Sequence, residues 1–373
     1  MKFNVSSKEL QQQLSAVSKV INTKNALSIL DNFLLKVEGN VLSITGSDQE
    51  NTMTATVEIM DVEGSGSIAV PYKRLLDMLK EISGQGLTFY INDTTKEIDI
   101  RFLNGHFNFM GLSGDEYPQR ATFEGDTHSF TVPAKMIQKG LDNTIFAVSS
   151  ETLRPIMTGI LWDITEDAIT FVSSDTHKLV RYINNEGNPG LVGSFIMPSK
   201  PANILRSIIG KDVENIEVTM DSKSATFKFA NYSLSCRFIN GNYPNYNRVI
   251  PQDNPFELTI DRVSFLNAMR RVALFASMAS NLVKLNIQSN EILLSSQDFD
   301  YSTSAEERID CEYQGNSMSI GFNATYMIEV LNNLKGDTII INLSDPARAG
   351  ILHPLKQEPG EDVLMLLMPM QLP

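Results

Sequence analysis

The chain has 373 residues, 42% of them apolar and 20% charged, with a formal net charge of −13. Two cysteines are too few for a disulfide framework, and no stretch approaches the roughly 20 apolar residues of a membrane span. No apolar run follows the opening "MKFNVSSKEL", so no signal peptide is visible and a cytoplasmic protein is expected.

In chain order the first elements are an alternating strand from Phe3 and a helix with apolar Leu10, Leu14, Val17 and Ile21 on one stripe. "LSITGSD" follows as a strand ending at Asp48. "AVPYKRLLDMLKEI", from Ala69, passes from strand to helix, with Pro71 suited to the first helical turn. "IDIRFLNGHFNFM" alternates Ile98, Ile100 and Phe102 on one side of Asn104-Gly105 and Phe107 and Phe109 on the other. That is a hairpin pattern with its turn at Asn-Gly.

The same series then recurs twice. A strand and helix begin at Phe130 and at Leu258. "ITFVSSD" and "ILLSSQD" end at Asp175 and Asp298. "IMPSKPANILRSII", with Pro198, and "IGFNATYMIEVLNNL" repeat the second helix, and "ATFKFANYSLSCRF" repeats the hairpin, with Cys236 expected in strand packing. The landmarks recur at intervals of about 125 residues, too long for a solenoid repeat. The chain reads as three copies of one domain, residues 1–123, 124–254 and 255–373. Each copy is α+β, with two helices packed on antiparallel sheets.

"SSDTHKLVR", residues 173–181, sets Ser173, Ser174, Asp175 and His177 side by side and invites a hydrolase reading. The repeat argues otherwise. Asp48, Asp175 and Asp298 share one position at a strand end, and only the middle copy has a histidine two residues on. Such an Asp is a turn-former accepting backbone N–H groups. There is no G-x-S-x-G, P-loop, H-E-x-x-H or zinc-spaced Cys/His set, and His106, His128, His177 and His353 are scattered. No catalysis, cofactor or metal is expected, and a hydrolase on "SSDTHK" is the rival reading.

Charge is segregated. Five of the six helical segments are net positive, together +9, which leaves −22 on the sheets and loops. Basic helices and acidic sheets fit a polyanion on the helical side. Without interleaved aromatics no base stacking is expected, and phosphate contacts alone bind DNA regardless of sequence.

The chain resembles, end to end, the bacterial β sliding clamps, the processivity subunits of the replicative DNA polymerase (DNA polymerase III beta subunit). The resemblance rests on "MKF.V", "LSILDNFLLKVEGNVLSITGSD", "SSDTHKLV", "GNYPNYNRVIP", "IGFNATYMIEVLNNL" and the terminal "MPMQL". It implies the DNA clamp fold, with two chains joined head to tail in a ring of six domains, helices lining the hole and sheets outside. It implies sequence-independent passage of double-stranded DNA, with the polymerase, an ATP-dependent clamp loader and other proteins bearing clamp-binding motifs as partners, and no membrane. A monomeric three-repeat binding protein is the third reading.

The resemblance also implies a partner-peptide pocket. One wall is Met157, Ser174, Thr176, His177, Lys178 and Leu179. Pro244, Arg248 and Val249 follow from "YPNYNRV", and Asn323 and Tyr326 from the second helix of copy three. The tail supplies Leu366, Met368, Pro369, Met370 and Leu372, a Met-rich rim suited to many partners. Thr176, Gln371 and Pro373 depart from the family pattern and bear on peptide preference. For the dimer contact the resemblance points to Phe107 against Leu274 and Phe275, with core burial as the alternative. DNA contacts are expected from Lys24, Lys73, Arg74, Lys139 and Lys200.

Overall fold

The computed structural model describes residues 1–82, 84–119, 123–186 and 190–372; Pro373 lies outside them. Six α-helices occur among these residues: α1 Ser7–Val17, α2 Tyr72–Glu81, α3 Ala134–Thr144, α4 Ser199–Ile208, α5 Arg262–Ala273 and α6 Ala324–Asn333. Each follows directly on a strand. Side chains stop the strand and start the helix at three of these corners. Ser6 accepts the Glu9 N–H, Asp261 the Ser264 N–H (2.7 Å), and Asn323 those of Thr325 and Tyr326. Pro71 and Pro198 stand one residue earlier than the sequence pattern predicts. Each closes its strand just ahead of the helix, because proline fixes φ but leaves ψ free to stay extended.

The chain separates into two compact units, residues 1–135 with 200–238, and residues 136–199 with 239–373. In the first unit a five-stranded sheet runs in the order Met60–Glu63, Lys2–Ser6, Gly86–Ile91, Glu97–Phe102, Gly105–Met110. A nine-stranded sheet runs Leu112–Ser113, Gly66–Pro71, Asn32–Glu38, Val41–Ser47, Asn51–Glu58, Tyr232–Arg237, Ser224–Phe229, Asn215–Met220, His128–Pro133. The second unit holds another nine-stranded sheet, Gly193–Pro198, Gly159–Ile164, Ile169–Ser174, Lys178–Asn184, Glu361–Leu367, Gly350–Pro354, Thr338–Leu343, Phe256–Asp261, Glu312–Gln314. It also holds a four-stranded sheet, Thr303–Asp310, Glu291–Asp298, Leu282–Ile287, Met318–Asn323. All strand pairs are antiparallel.

The two nine-stranded sheets are each shared by consecutive copies. In the first, Asn51–Glu58 of copy one pairs with Tyr232–Arg237 of copy two, setting Met53 opposite Leu234, both fully buried. In the second, Lys178–Asn184 of copy two pairs with Glu361–Leu367 of copy three, setting Val180 opposite Met365, again fully buried. Sealing such apolar pairs from water is worth about 1.5–3 kcal/mol per side chain.

Of the alternating set predicted for the 98–109 hairpin, Ile98, Ile100 and Phe109 are buried, while Phe102 is half-buried and Phe107 is exposed at the sheet edge. Its turn is not at Asn104-Gly105. Phe102 pairs with Gly105, so the loop is Leu103-Asn104. Gly105 lets the Phe102 ring lie close, since a Cβ there would sit 2.9 Å from the tip of that ring.

Candidate functional site

The three repeat aspartates do the turn-forming work that the sequence predicts. Asp48 Oδ1 accepts the N–H groups of Glu50 and Asn51, Asp175 Oδ1 those of His177 and Lys178, and Asp298 Oδ1 those of Asp300 and Tyr301. The serines are structural as well. Ser173 donates to the Thr144 carbonyl at the end of α3, and Ser296 donates to the matching Val272 carbonyl of α5 (2.6 Å). Copy one has Gly46 at that position, because Val17 Cγ1 already fills the space, 2.9 Å from where a Cβ would sit. Asp175 is thus committed to its turn and to Lys178, and neither serine is presented to His177.

His177 and its neighbours instead join two copies. The His177 ring stacks on Tyr326 of α6 (centroids 5.1 Å apart, planes 16° from parallel). Lys178, buried, reaches Asp175 Oδ2 (2.5 Å) and Glu329 Oε2 (2.9 Å), with its ammonium 4.7 Å from the Tyr326 ring centre. Burial opposes the Lys178 charge, but the Asp175 and Glu329 carboxylates outweigh it and hold the ammonium above its ordinary range. Thr176 adopts φ +78°, and the Ser174 hydroxyl steadies the turn by accepting its N–H and donating to the Lys178 carbonyl.

The tail meets this turn. Leu366 pairs with Leu179 in the strand ladder, Met368 donates its N–H to the His177 carbonyl (2.9 Å), and Met370 bridges to Gly321 (2.8 Å). Leu179 and Leu366 belong to a buried apolar cluster with Leu161, Val172, Ile196, Ile250, Ala349 and Ile351. Tyr243 and Tyr246, either side of Pro244, pack against it.

Thr176, His177, Pro244, Arg248, Val249 and Met368 are exposed, and Pro369, Met370, Leu372 and Tyr326 are half-buried. An open cleft of about 410 Å³ runs beside the 241–247 loop, between Tyr243, Tyr246 and Asp163, and the Tyr246 hydroxyl donates to Asp163 (2.9 Å). Three predicted pocket residues do other work. Met157 is buried in a 3₁₀ turn, and its neighbour Ile156 is the one that packs on the cluster. Ser174 is buried in its turn, and Asn323 caps α6. Glu329 and Ile250 escaped the sequence reading. Glu329 shares a helical face with Tyr326, three residues on, but its tie to Lys178 is a long-range contact with no local signal.

Among the proposed DNA-contacting cations, Lys73 and Arg74 are exposed on the first turn of α2. Lys24 is exposed but lies past the end of α1 and its short 3₁₀ extension. Lys139 is half-buried and engaged by Glu361. Lys200 is half-buried too, bonded to Asp48 Oδ2 (2.5 Å), the Val20 carbonyl and Asn22 Oδ1 (2.6 Å each). These two ammoniums tie the chain to itself. Of the proposed dimer residues, Phe107 is 37% exposed on the outermost strand of the five-stranded sheet, stacked on Phe102. Leu274 (81%) and Phe275 (42%) are exposed just past the end of α5.

The fold and site thus define a protein of three repeated α+β copies chained through shared sheets, with an apolar seam at the second junction. Family models for the N-terminal, central and C-terminal domains of the DNA polymerase III beta subunit match residues 1–121, 127–245 and 247–371. The chain is 27% identical to the beta sliding clamp of Staphylococcus aureus and 26% identical to that of Staphylococcus epidermidis, covering 100% of this chain and 99% of each relative. Among solved structures, the beta subunit of Streptococcus pyogenes DNA polymerase superposes with a TM-score of 0.94 at 22% identity, and a Pseudomonas aeruginosa sliding clamp bound to griselimycin with 0.93 at 22%. Both superpositions cover 100% of both chains. The chain belongs to the DNA polymerase III beta subunit family, the sliding clamps of DNA replication.

Proposed function

We propose that two chains close head to tail around duplex DNA, slide without reading sequence, and hold the replicative polymerase and other partners by a short peptide seated at the second junction. The observation that carries the ring is the sheet inventory. Each junction inside the chain joins four strands of one copy to those of the next in a nine-stranded sheet. The two remaining sheets have four and five strands. Their outer strands, Thr303–Asp310 and Gly105–Met110, are the repeat equivalents of the strands that pair at the other two junctions. A second copy completes a third nine-stranded sheet and covers edges that would otherwise invite aggregation.

The exposed Lys24 and Arg74 supply phosphate contacts of the weak, salt-screened kind that permits sliding. The peptide reading is supported by the buried Leu179–Leu366 floor, the exposed Met368 and Val249 beside it, and the turn fixed by His177 and Lys178. Domains at 1–123, 124–254 and 255–373, a cytoplasmic site of action, an ATP-using loader and the absence of catalysis in this chain all follow on this reading.

Sedimentation equilibrium at low micromolar concentration tests it. Twice the 41.5 kDa chain mass is expected, together with retention on closed circular DNA and loss when the circle is cut. A monomer that dissociates equally from circular and linear DNA would sink the proposal.

A further inference from the structure

The first junction within the chain has a second component besides its strand pair. Lys200, the second residue of α4 in copy two, crosses to copy one and inserts its ammonium between Asp48 Oδ2, the Val20 carbonyl and Asn22 Oδ1. Lys19 of copy one reaches back to Ser207 on the same helix (2.8 Å). So the repeat aspartate has two tasks at this junction. One oxygen holds its own turn, and the other receives a lysine from the second helix of the following copy.

The second junction keeps the plan with altered parts. Copy three has Thr325 at the second position of α6, and Lys178 instead spans from Asp175 Oδ2 to Glu329 on that helix.

The third set of parts is present but unjoined within the chain. Asp298 holds its turn with Oδ1, as Asp48 does. The 3₁₀ turn after α5 bonds Ala276 N–H to the Ala273 carbonyl, just as Ile21 bonds to Ser18 after α1. This matches Leu274, Phe275 and Ser277 to Lys19, Val20 and Asn22. The lysine equivalent to Lys200 is Lys73, likewise the second residue of its helix and likewise preceded by a strand-ending proline. Lys73 is exposed, and Asp77, one turn along α2, is engaged by Lys80 (2.9 Å).

We infer that the junction between two copies of this chain is fastened by Lys73 of the partner subunit, whose ammonium enters the nest formed by Asp298 Oδ2, the Phe275 carbonyl and the Ser277 hydroxyl. The inference rests on the head-to-tail dimer proposed above and specifies its chemistry. It places the exposed Leu274 and Phe275 against α2 of the partner subunit, and it gives the seam between chains the same kind of ion pair that accompanies the Met53–Leu234 ladder at the first junction. It also gives Lys73 a role at the seam instead of on DNA.

A double-mutant cycle tests the pair. Asp298→Asn keeps the oxygen that accepts the Asp300 and Tyr301 N–H groups and removes only the charge. Lys73→Gln removes its partner. The dimer dissociation constant of the wild type, both single variants and the double variant is measured by sedimentation, with thermal unfolding as the check on fold.

Each single substitution is expected to weaken the dimer about tenfold, and the double to weaken it no further than either single. Lys200→Gln should lower the melting temperature and leave the dimer constant alone. A wild-type dimer with unaffected single variants, or with strictly additive losses, overturns the ion pair and spares the ring. A wild-type monomer at low micromolar concentration overturns both.

Discussion

Single residues here are read most securely by comparing copies. The Asp48, Asp175 and Asp298 turns follow from the repeat, because a carboxylate two and three residues ahead of backbone N–H groups is a local device that sequence alone specifies. Lys178 has a measurable signature. Its ammonium neutralises two carboxylates, and Lys178→Met would leave Asp175 and Glu329 facing each other across a site where Lys178 itself is buried. The expected cost is about 2–3 kcal/mol near pH 7, read by urea unfolding. The Lys178 pKa is raised in the folded state. Its contribution is therefore complete below the ordinary lysine value of 10.5 and is lost as pH climbs through the higher folded value. The gap between wild type and variant should stay constant through neutral pH and narrow in strong alkali. A gap that persists undiminished in strong alkali would mean that the Lys178 charge is not what holds the link. Cys236 follows its sequence reading too, with burial pushing its thiol up to about 12.

At the scale of elements, periodicity located all six helices, and alternation located the 98–109 hairpin. Their ends were less legible, for physical reasons that involve neighbours. The hairpin turn lies one residue earlier, because the strand ladder runs on until Phe102 pairs with Gly105. The helix starts at Pro71 and Pro198 moved for want of any local signal separating the cap from the first turn. The candidate pocket mixes both cases. Its turn was legible, but Glu329 was not singled out, because pairing α6 with the 175–178 turn is a long-range fact. The His177–Tyr326 stack fixes how that turn meets α6. His177→Ala should therefore weaken a polymerase-derived peptide about tenfold in a fluorescence-anisotropy titration, with unchanged dimer mass. Unchanged peptide affinity would remove the turn from the pocket.

At the scale of the whole molecule, a net charge of −13 concealed a cationic set of helices, and part of that cationic charge is spent internally. Lys139 and Lys200 are bound to Glu361 and Asp48. Sequence counting cannot distinguish such ties from free cations, since the partners lie far away in the chain. DNA contact therefore falls to fewer side chains than the composition suggests, with Lys24 and Arg74 the exposed candidates not needed at the seam. Replacing both with Gln should reduce the slope of log affinity against log salt by roughly one unit for each, without altering any sequence preference. A slope that does not change would place the DNA elsewhere.

The first junction also bears on what the peptide backbone between copies contributes. Copy one and the Lys200–Phe238 segment are held by a strand ladder, the Lys200–Asp48 bond and the Lys19–Ser207 contact, all made by residues outside the connection between copies one and two. A protease nick there should leave both fragments migrating together under native conditions. The covalent link is then a tether of convenience at this junction, where strand pairing and the two lysine contacts, and not chain continuity, keep the copies in register.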